Sequence, residues 1–366
     1  MRIVITVPCL SGGGAEFVAW QWARYLAGEG DHVTVYTTHS VLADATPEGV
    51  SLVKAPQGGV VAQARNLATF LRNEPADVVV ALMPYCNLVT LAAARSMGSA
   101  GPLVVISEHI PANGPSMVYA GAHQNHVRLA RRIYRSADLL VAVSHAVGAE
   151  AISEYGISMD KVAVVPNPAF AKLQNRHVKR PGGIPQSARL DLVVPGRLVP
   201  QKRPLLAVDV AAILSPHFPG GVTLHFYGAG PLIDQVVSHA SDAGVNAVMH
   251  GWVENWFDEC PAGSIVLVTS VLEGFGNVLI EAAAAGFRSV VSSKCMGVAD
   301  AVIPGLTGEL TTGNTAEDYA AAVLRTPRTP VCGIEPWLQR FTFESSGQIL
   351  RDELTRIMQR PPRSDR

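Results

Sequence analysis

Five cysteines in 366 residues, Cys9, Cys86, Cys260, Cys295 and Cys332, are odd in number, scattered, and nowhere spaced as Cys-x-x-Cys. That excludes a disulfide framework and a thiolate zinc site. No run of 18 apolar residues occurs, and the first residues carry one Arg and a strand-like stretch without an Ala-x-Ala pattern. A helical membrane span and a secretory leader are therefore not expected, and reduced cytoplasm is the expected home. Charge is scarce too: 16% of residues are charged and the formal net charge is −1. Such a chain has no general attraction for nucleic acid or anionic lipid.

What is present is apolar and periodic. The runs "RIVITVP", "HVTVYTT", "ADVVVALM", "PLVVISEH", "ADLLVAVS" and "KVAVVPN" read as buried strands, with helical spacing between them, as over residues 15 to 28 and 61 to 73. Strands alternating with helices predict a mostly parallel, doubly wound sheet. The pattern lapses into a Pro-, Gly- and Arg/Lys-rich stretch and then restarts with "LDLVVPGRL", "VTLHFYGAG", "NAVMHGWV", "GSIVLVTS" and "FRSVVSS". At this length one core usually gives way to two. The expectation is an α/β chain of two Rossmann-like domains facing a central cleft: residues 1–170, a linker over 171–188, a second domain over 189–340, and a closing helix within 341–366 that crosses back to the first domain.

Three segments carry chemistry. After the first strand stand Gly12, Gly13 and Gly14, but the spacing is not G-x-G-x-x-G and no acid ends the second strand, "VYTTHS". A dinucleotide loop is thus disfavoured; an anion loop at a helix N-terminus and a plain tight turn remain. In "TSVLEGFGNVLIEAAAAG", Glu273 ends a strand, a Gly-Phe-Gly-Asn turn releases a helix, and Glu281 follows eight positions later. Free amides and carboxylates there suit phosphate and hydroxyl groups, unless Glu281 is merely an exposed helix residue. In "VVPGRLVPQKRP", Arg197 and Lys202 sit at a strand end, where a forked and a point cation together suit a diphosphate.

The succession "GGGAE", "VISEH", "ADLLVAVS", "VVPNP", "PGRLVPQK", "YGAGP", "HGWV" and E-x7-E resembles the retaining glycosyltransferases of family 4, of GT-B architecture. The resemblance implies a metal-independent enzyme without cofactor that moves a hexose-type sugar from a nucleoside diphosphate, uridine-linked by expectation, to a hydroxyl of a small-molecule or glycan acceptor. It implies that Arg197 and Lys202 hold the diphosphate, Glu281 the ribose, and Glu273 the transferred sugar. The amides of Phe275, Gly276 and Asn277 would reach the sugar or phosphate, and the base would lie along His250 to Val253, thus against Gly251, Trp252 and Val253. Gly13 and Gly14 would close over the phosphate, and His109 would be the acceptor-side histidine.

Some features depart from that pattern or stand outside it. "SSKCMGVADAV" replaces the usual turn after the E-x7-E helix, and Ala229 stands where an acid is frequent. Glu16 and Glu108 are either acceptor-side acids or ordinary turn acids. Arg128, Arg131, Arg132 and Arg135 fall on one helix face, a membrane contact or a solvated surface. A sugar-nucleotide epimerase of the same architecture and a non-catalytic nucleotide-sugar-binding protein are the rival readings.

Overall fold

The computed structural model describes residues 1–39, 41, 44–111, 121–174 and 189–360. The described residues form two compact units, one from residues 1–111 and 121–168 together with 340–360, the other from 169–339. Among the described residues no helix is long and apolar enough to cross a membrane. Of the expected linker, residues 175–188 lie outside the described residues; Ala169–Lys172 form a short 3-10 segment.

In the first unit β1 (Arg2–Val7), β2 (His32–Thr37), β3 (Ser51–Lys54), β4 (Val78–Leu82), β5 (Leu103–Glu108), β6 (Leu139–Ala142) and β7 (Val162–Val164) make one parallel sheet. Its order is β3-β2-β1-β4-β5-β6-β7, so the winding reverses between β1 and β4. Side chains alternate across it. Ile3, Ile5 and Val7 face the helix Gly14–Gly28 and the last helix Phe343–Met358, whereas Val4, Tyr36 and Val79 pack with Leu67, Ala68 and Val89 from the helices Val60–Asn73 and Pro84–Met97. Burial on both faces is why these strands read as continuous apolar runs.

The second unit repeats the plan. The strands β8 (Leu190–Pro195), β9 (Val222–Tyr227), β10 (Asn246–Gly251), β11 (Ile265–Val268), β12 (Arg288–Ser292) and β13 (Gly308–Thr311) run in the order β10-β9-β8-β11-β12-β13. Every apolar run read as a strand is one. The two that the runs do not signal, β3 and β13, are four-residue edge strands, "SLVK" and "GELT", whose inner positions are only partly covered or polar. Little apolar surface is needed where a strand has one neighbour.

The closing helix belongs to the first unit. It starts at Phe343, capped by the Thr342 hydroxyl on the Ser345 amide at 3.1 Å. Leu350, Leu354 and Ile357 enter the core of β1 and the Gly14–Gly28 helix. Trp22 Nε1 donates to Ser346 Oγ at 2.9 Å, Ser346 Oγ donates to the Pro166 carbonyl at 2.7 Å, and Arg351 Nε meets Asp31 at 2.8 Å. At the crossing a Cβ on Gly347 would stand 2.2 Å from the Tyr25 ring. Only glycine lets the two helices approach this closely.

A polar cluster lies inside the same unit. Glu108, 2% exposed at the end of β5, accepts from Asn87 Nδ2 at 3.0 Å, and Tyr134 stands beside both. Burial pushes its carboxyl up to about 7, against the hydrogen bonds from Tyr134 and Asn87 that favour the charged form. Glu108 is therefore an interior acid, not a turn acid.

Two outcomes are expected. Gly347→Ala overpacks the crossing, costs about 1–3 kcal/mol, and lowers the thermal midpoint. For Glu108 the folded carboxyl is raised above its unfolded value near 4.5, so the stability it contributes is present below that value and lost as pH climbs through about 7. Glu108→Gln does not titrate. Its stability relative to the wild type should climb by roughly 2–3 kcal/mol between pH 4.5 and 7 and level off above, as read by urea unfolding across that range.

Candidate functional site

In an open parallel sheet, ligands bind beyond the carboxyl ends of the strands where the winding reverses. In the second unit that point lies between β8 and β11. The loop after β8 carries Gly196, Arg197 and the Pro200–Lys202 turn; the loop after β11 carries Thr269 to Gly276. The two are sewn together. Thr269 Oγ1 donates toward the carbonyls of Lys202 and Arg203 at 2.7 and 3.0 Å, the Val271 amide donates to Gln201 O at 2.9 Å, and Gln201 Nε2 donates to Leu272 O at 2.8 Å. Arg203, left-handed at φ 45°, donates to Thr269 O at 2.8 Å and also binds the Asn314 side chain.

This seam sets the charges. Lys202 Nζ donates to Glu273 Oε1, which also accepts from Ser270 Oγ at 2.7 Å. Both charged side chains are mostly covered. Arg197 beside them is exposed, and among the described residues its guanidinium makes no hydrogen bond or ion pair. Gly196, Arg197, Lys202, Thr269, Ser270, Glu273 and Val278 line one pocket. An ammonium with three donors, one given to Glu273, keeps two for an anion, and Arg197 adds a forked donor. Gly297, in the "SSKCMG" segment, lies so close that a Cβ there would come within 2.0 Å of the Glu273 carbonyl. Its lack of a side chain lets that segment back the acid.

Gly276, at φ 89°, ends the turn and opens the helix Asn277–Ala284 with no side-chain cap. The Phe275 side chain, in the turn before it, is buried. Glu281 is not an exposed helix residue: it is 3% exposed. Its Oε1 accepts from Lys172 Nζ and its Oε2 from Trp256 Nε1, each at 2.8 Å. β10 ends at Gly251, at φ 74°, and is followed by the exposed Trp252 and the half-buried Val253. His250 stacks on Tyr227 at 4.2 Å and lies 3.1 Å from His225, whose other nitrogen meets Asp191 at 3.0 Å. Burial and the neighbouring His225 hold His250 below the usual imidazole range.

The reversal in the first unit falls at β1 and β4. Gly12 is the glycine whose backbone demands it, at φ 102°; Gly13 is extended at φ −141° and Gly14 begins the helix. Glu16 folds back so that a Cβ on Gly13 would come within 2.2 Å of its carboxylate. Asp44 fixes the approach, accepting from the Leu10 and Val41 amides at 2.8 and 2.9 Å. Met83, just past β4, holds the unusual φ of 74°. His109 Nε2 is 3.0 Å from Ser107 Oγ, and burial holds its imidazole down to about 4, hence neutral at pH 7. Of the basic face, Arg131 pairs with Glu154 at 2.5 Å and Arg135 donates to the Tyr155 carbonyl at 3.0 Å. Both thereby serve the helix His145–Tyr155.

Lys202 and Glu273 thus meet, with Arg197 on the same pocket, and Glu281 lies on the helix that follows. Sequence reasoning missed Ser270, Arg203, Gly297, Lys172, Trp256 and Asp44. All but Ser270, which meets Glu273 three residues on, act on a partner distant in the chain, up to 111 residues for Arg203, and no local spacing announces such a contact.

Two family models match: Glycosyltransferase Family 4 over residues 12–169 and Glycosyl transferases group 1 over residues 189–327. A D-inositol 3-phosphate glycosyltransferase of Arthrobacter sp. (strain FB24) is 30% identical over 207 residues, 52% of this chain and 47% of that protein. The chain spans about half the length of the curated relatives it matches. Among solved structures, a lipopolysaccharide outer core galactosyltransferase, WaaB, is similar with a TM-score of 0.76 at 20% identity, over 97% of this chain and 99% of that one. HepE of Anabaena, solved with UDP and glucose, is similar at 0.66 and 19%, over 98% and 97%. At such identities the likeness establishes the fold. The chain belongs to the glycosyltransferases, pairing a family 4 domain with a group 1 domain in the GT-B class of fold.

Proposed function

We propose that this protein transfers a hexose-type sugar from a nucleoside diphosphate to an acceptor hydroxyl, with retention of anomeric configuration and without a metal. The observation that carries the reading is the Lys202–Glu273 pair at the reversal of the second sheet, with Arg197 open beside it. Breaking the bond from the anomeric carbon to phosphate oxygen leaves charge on the diphosphate. Fixed cations and helix-end amides aimed there lower the barrier. Arg197, Lys202 and the amides of Phe275, Gly276 and Asn277 take that role; Glu273 orients the sugar, and Glu281 receives the ribose hydroxyls. The acceptor oxygen bonds to the anomeric carbon on the face the phosphate leaves, and its proton passes to the departing phosphate oxygen. No residue is asked to be a nucleophile.

Gly251, Trp252 and Val253 are the stretch assigned to the base. Gly13 and Gly14 are assigned to the phosphate, and His109, neutral through burial, to the acceptor. Uridine is the base to test first, because HepE was solved with UDP. Inositol phosphate is the first acceptor to test, because the curated relatives carry that name.

Uridine-, guanosine- and adenosine-diphosphate sugars, assayed with EDTA present, should yield binding and turnover with at least one donor. Silence across the whole panel would sink the proposal. Lys202→Ala and Glu281→Ala should each lower kcat/KM by roughly 100-fold; full activity in both would remove these residues from the site.

A further inference from the structure

The Glu281 carboxylate is buried, its side chain 4% exposed, in a helix that is otherwise apolar after Asn277. A charge in such a place needs a countercharge and hydrogen bonds. It has both, from residues outside the E-x7-E segment. Trp256, 4% exposed and edge-on to Phe257 at 5.7 Å, directs its indole N–H at Oε2. Lys172, 109 residues upstream, directs its ammonium at Oε1. Its backbone is pinned: the Ala169–Lys172 segment lies against the Glu281 helix between the buried Ala169 and Leu173.

An ionised carboxylate offers about four lone-pair positions. Two are occupied here, and in fixed directions, because one donor is rigid and buried and the other is tethered by a packed turn. The remaining positions are thereby aimed before any ligand arrives. Resting on the donor-site reading above, we propose that Lys172 and Trp256 are positioning residues, which hold the Glu281 carboxylate pre-oriented so that it discriminates the ribose hydroxyls of a nucleoside diphosphate. Lys172 is 30% exposed at its side chain, so the acid's countercharge lies on its solvent side. Without it the carboxylate would keep only the indole donor, and its second oxygen would have no fixed direction.

A structural role alone would lower stability and leave ligand selectivity untouched, so selectivity is the readout. UDP and 2′-deoxy-UDP are titrated calorimetrically into wild type, Lys172→Met, Lys172→Arg, Trp256→Phe, Glu281→Gln and the Lys172→Met/Glu281→Gln double variant, with ADP and GDP as further probes of the wild type. Wild type should prefer the ribose form by about tenfold. Lys172→Met should bind UDP about tenfold more weakly and narrow that preference to about twofold, as should Glu281→Gln, with Lys172→Arg returning most of it and Trp256→Phe losing roughly threefold. The double variant should be no weaker than Glu281→Gln alone, because both changes act through one carboxylate. A Lys172→Met protein that keeps the full ribose preference, or losses that add in the double variant, overturns this inference while leaving the donor site standing. Wild type that binds none of the three diphosphates overturns the donor site itself, and this inference with it.

Discussion

The seam between the loop after β8 and the loop after β11 is the constraint on which the second unit's chemistry rests. Thr269, Val271 and Gln201 tie the two backbones at four points, and the tie brings Lys202 onto Glu273. Without it, a cation and an acid 71 residues apart would be two solvated side chains. Because β8 and β11 are adjacent only where the winding reverses, the seam exists nowhere else in that sheet. Side-chain pairs at most surfaces contribute little; here the backbone holds the geometry and the ion pair occupies it.

Around the seam the supporting residues leave the pocket's charge to Lys202, Glu273 and Arg197. Gly297 backs the Glu273 carbonyl, Ser270 shares its carboxylate oxygen, and Arg203 spends its guanidinium on Thr269 and Asn314. Arg203 lies next to Lys202 in sequence, yet one cation braces the loop and the other faces the pocket. The left-handed backbone at Arg203 turns the two side chains apart. Glu281 lies one helix further on, its burial offset by the half-buried Lys172 and the buried Trp256.

The first unit departs from the sequence reading in instructive ways. The glycine loop was legible, but which glycine the backbone requires was not: the positive φ falls at Gly12, not at Gly13 or Gly14. Glu108 reads in sequence as an acid at a strand end, where a carboxylate could meet a ligand. In the folded chain Asn87 and Tyr134 come from two other elements to enclose it. The Arg-rich helix face reads as one basic stripe, and half of it is engaged by the neighbouring helix.

Sequence by itself determined the two parallel sheets, because a strand covered on both faces must be apolar along its length and so declares itself. It also determined which residue types could hold a diphosphate, because E-x7-E and the Arg-Lys turn are local spacings. Tertiary structure alone decided that Lys202 meets Glu273, that Glu281 is enclosed by Lys172 and Trp256, and that Glu108 is interior. These are contacts between elements brought together by strand order, and strand order is set by the packing of the whole sheet, which no short window of sequence contains.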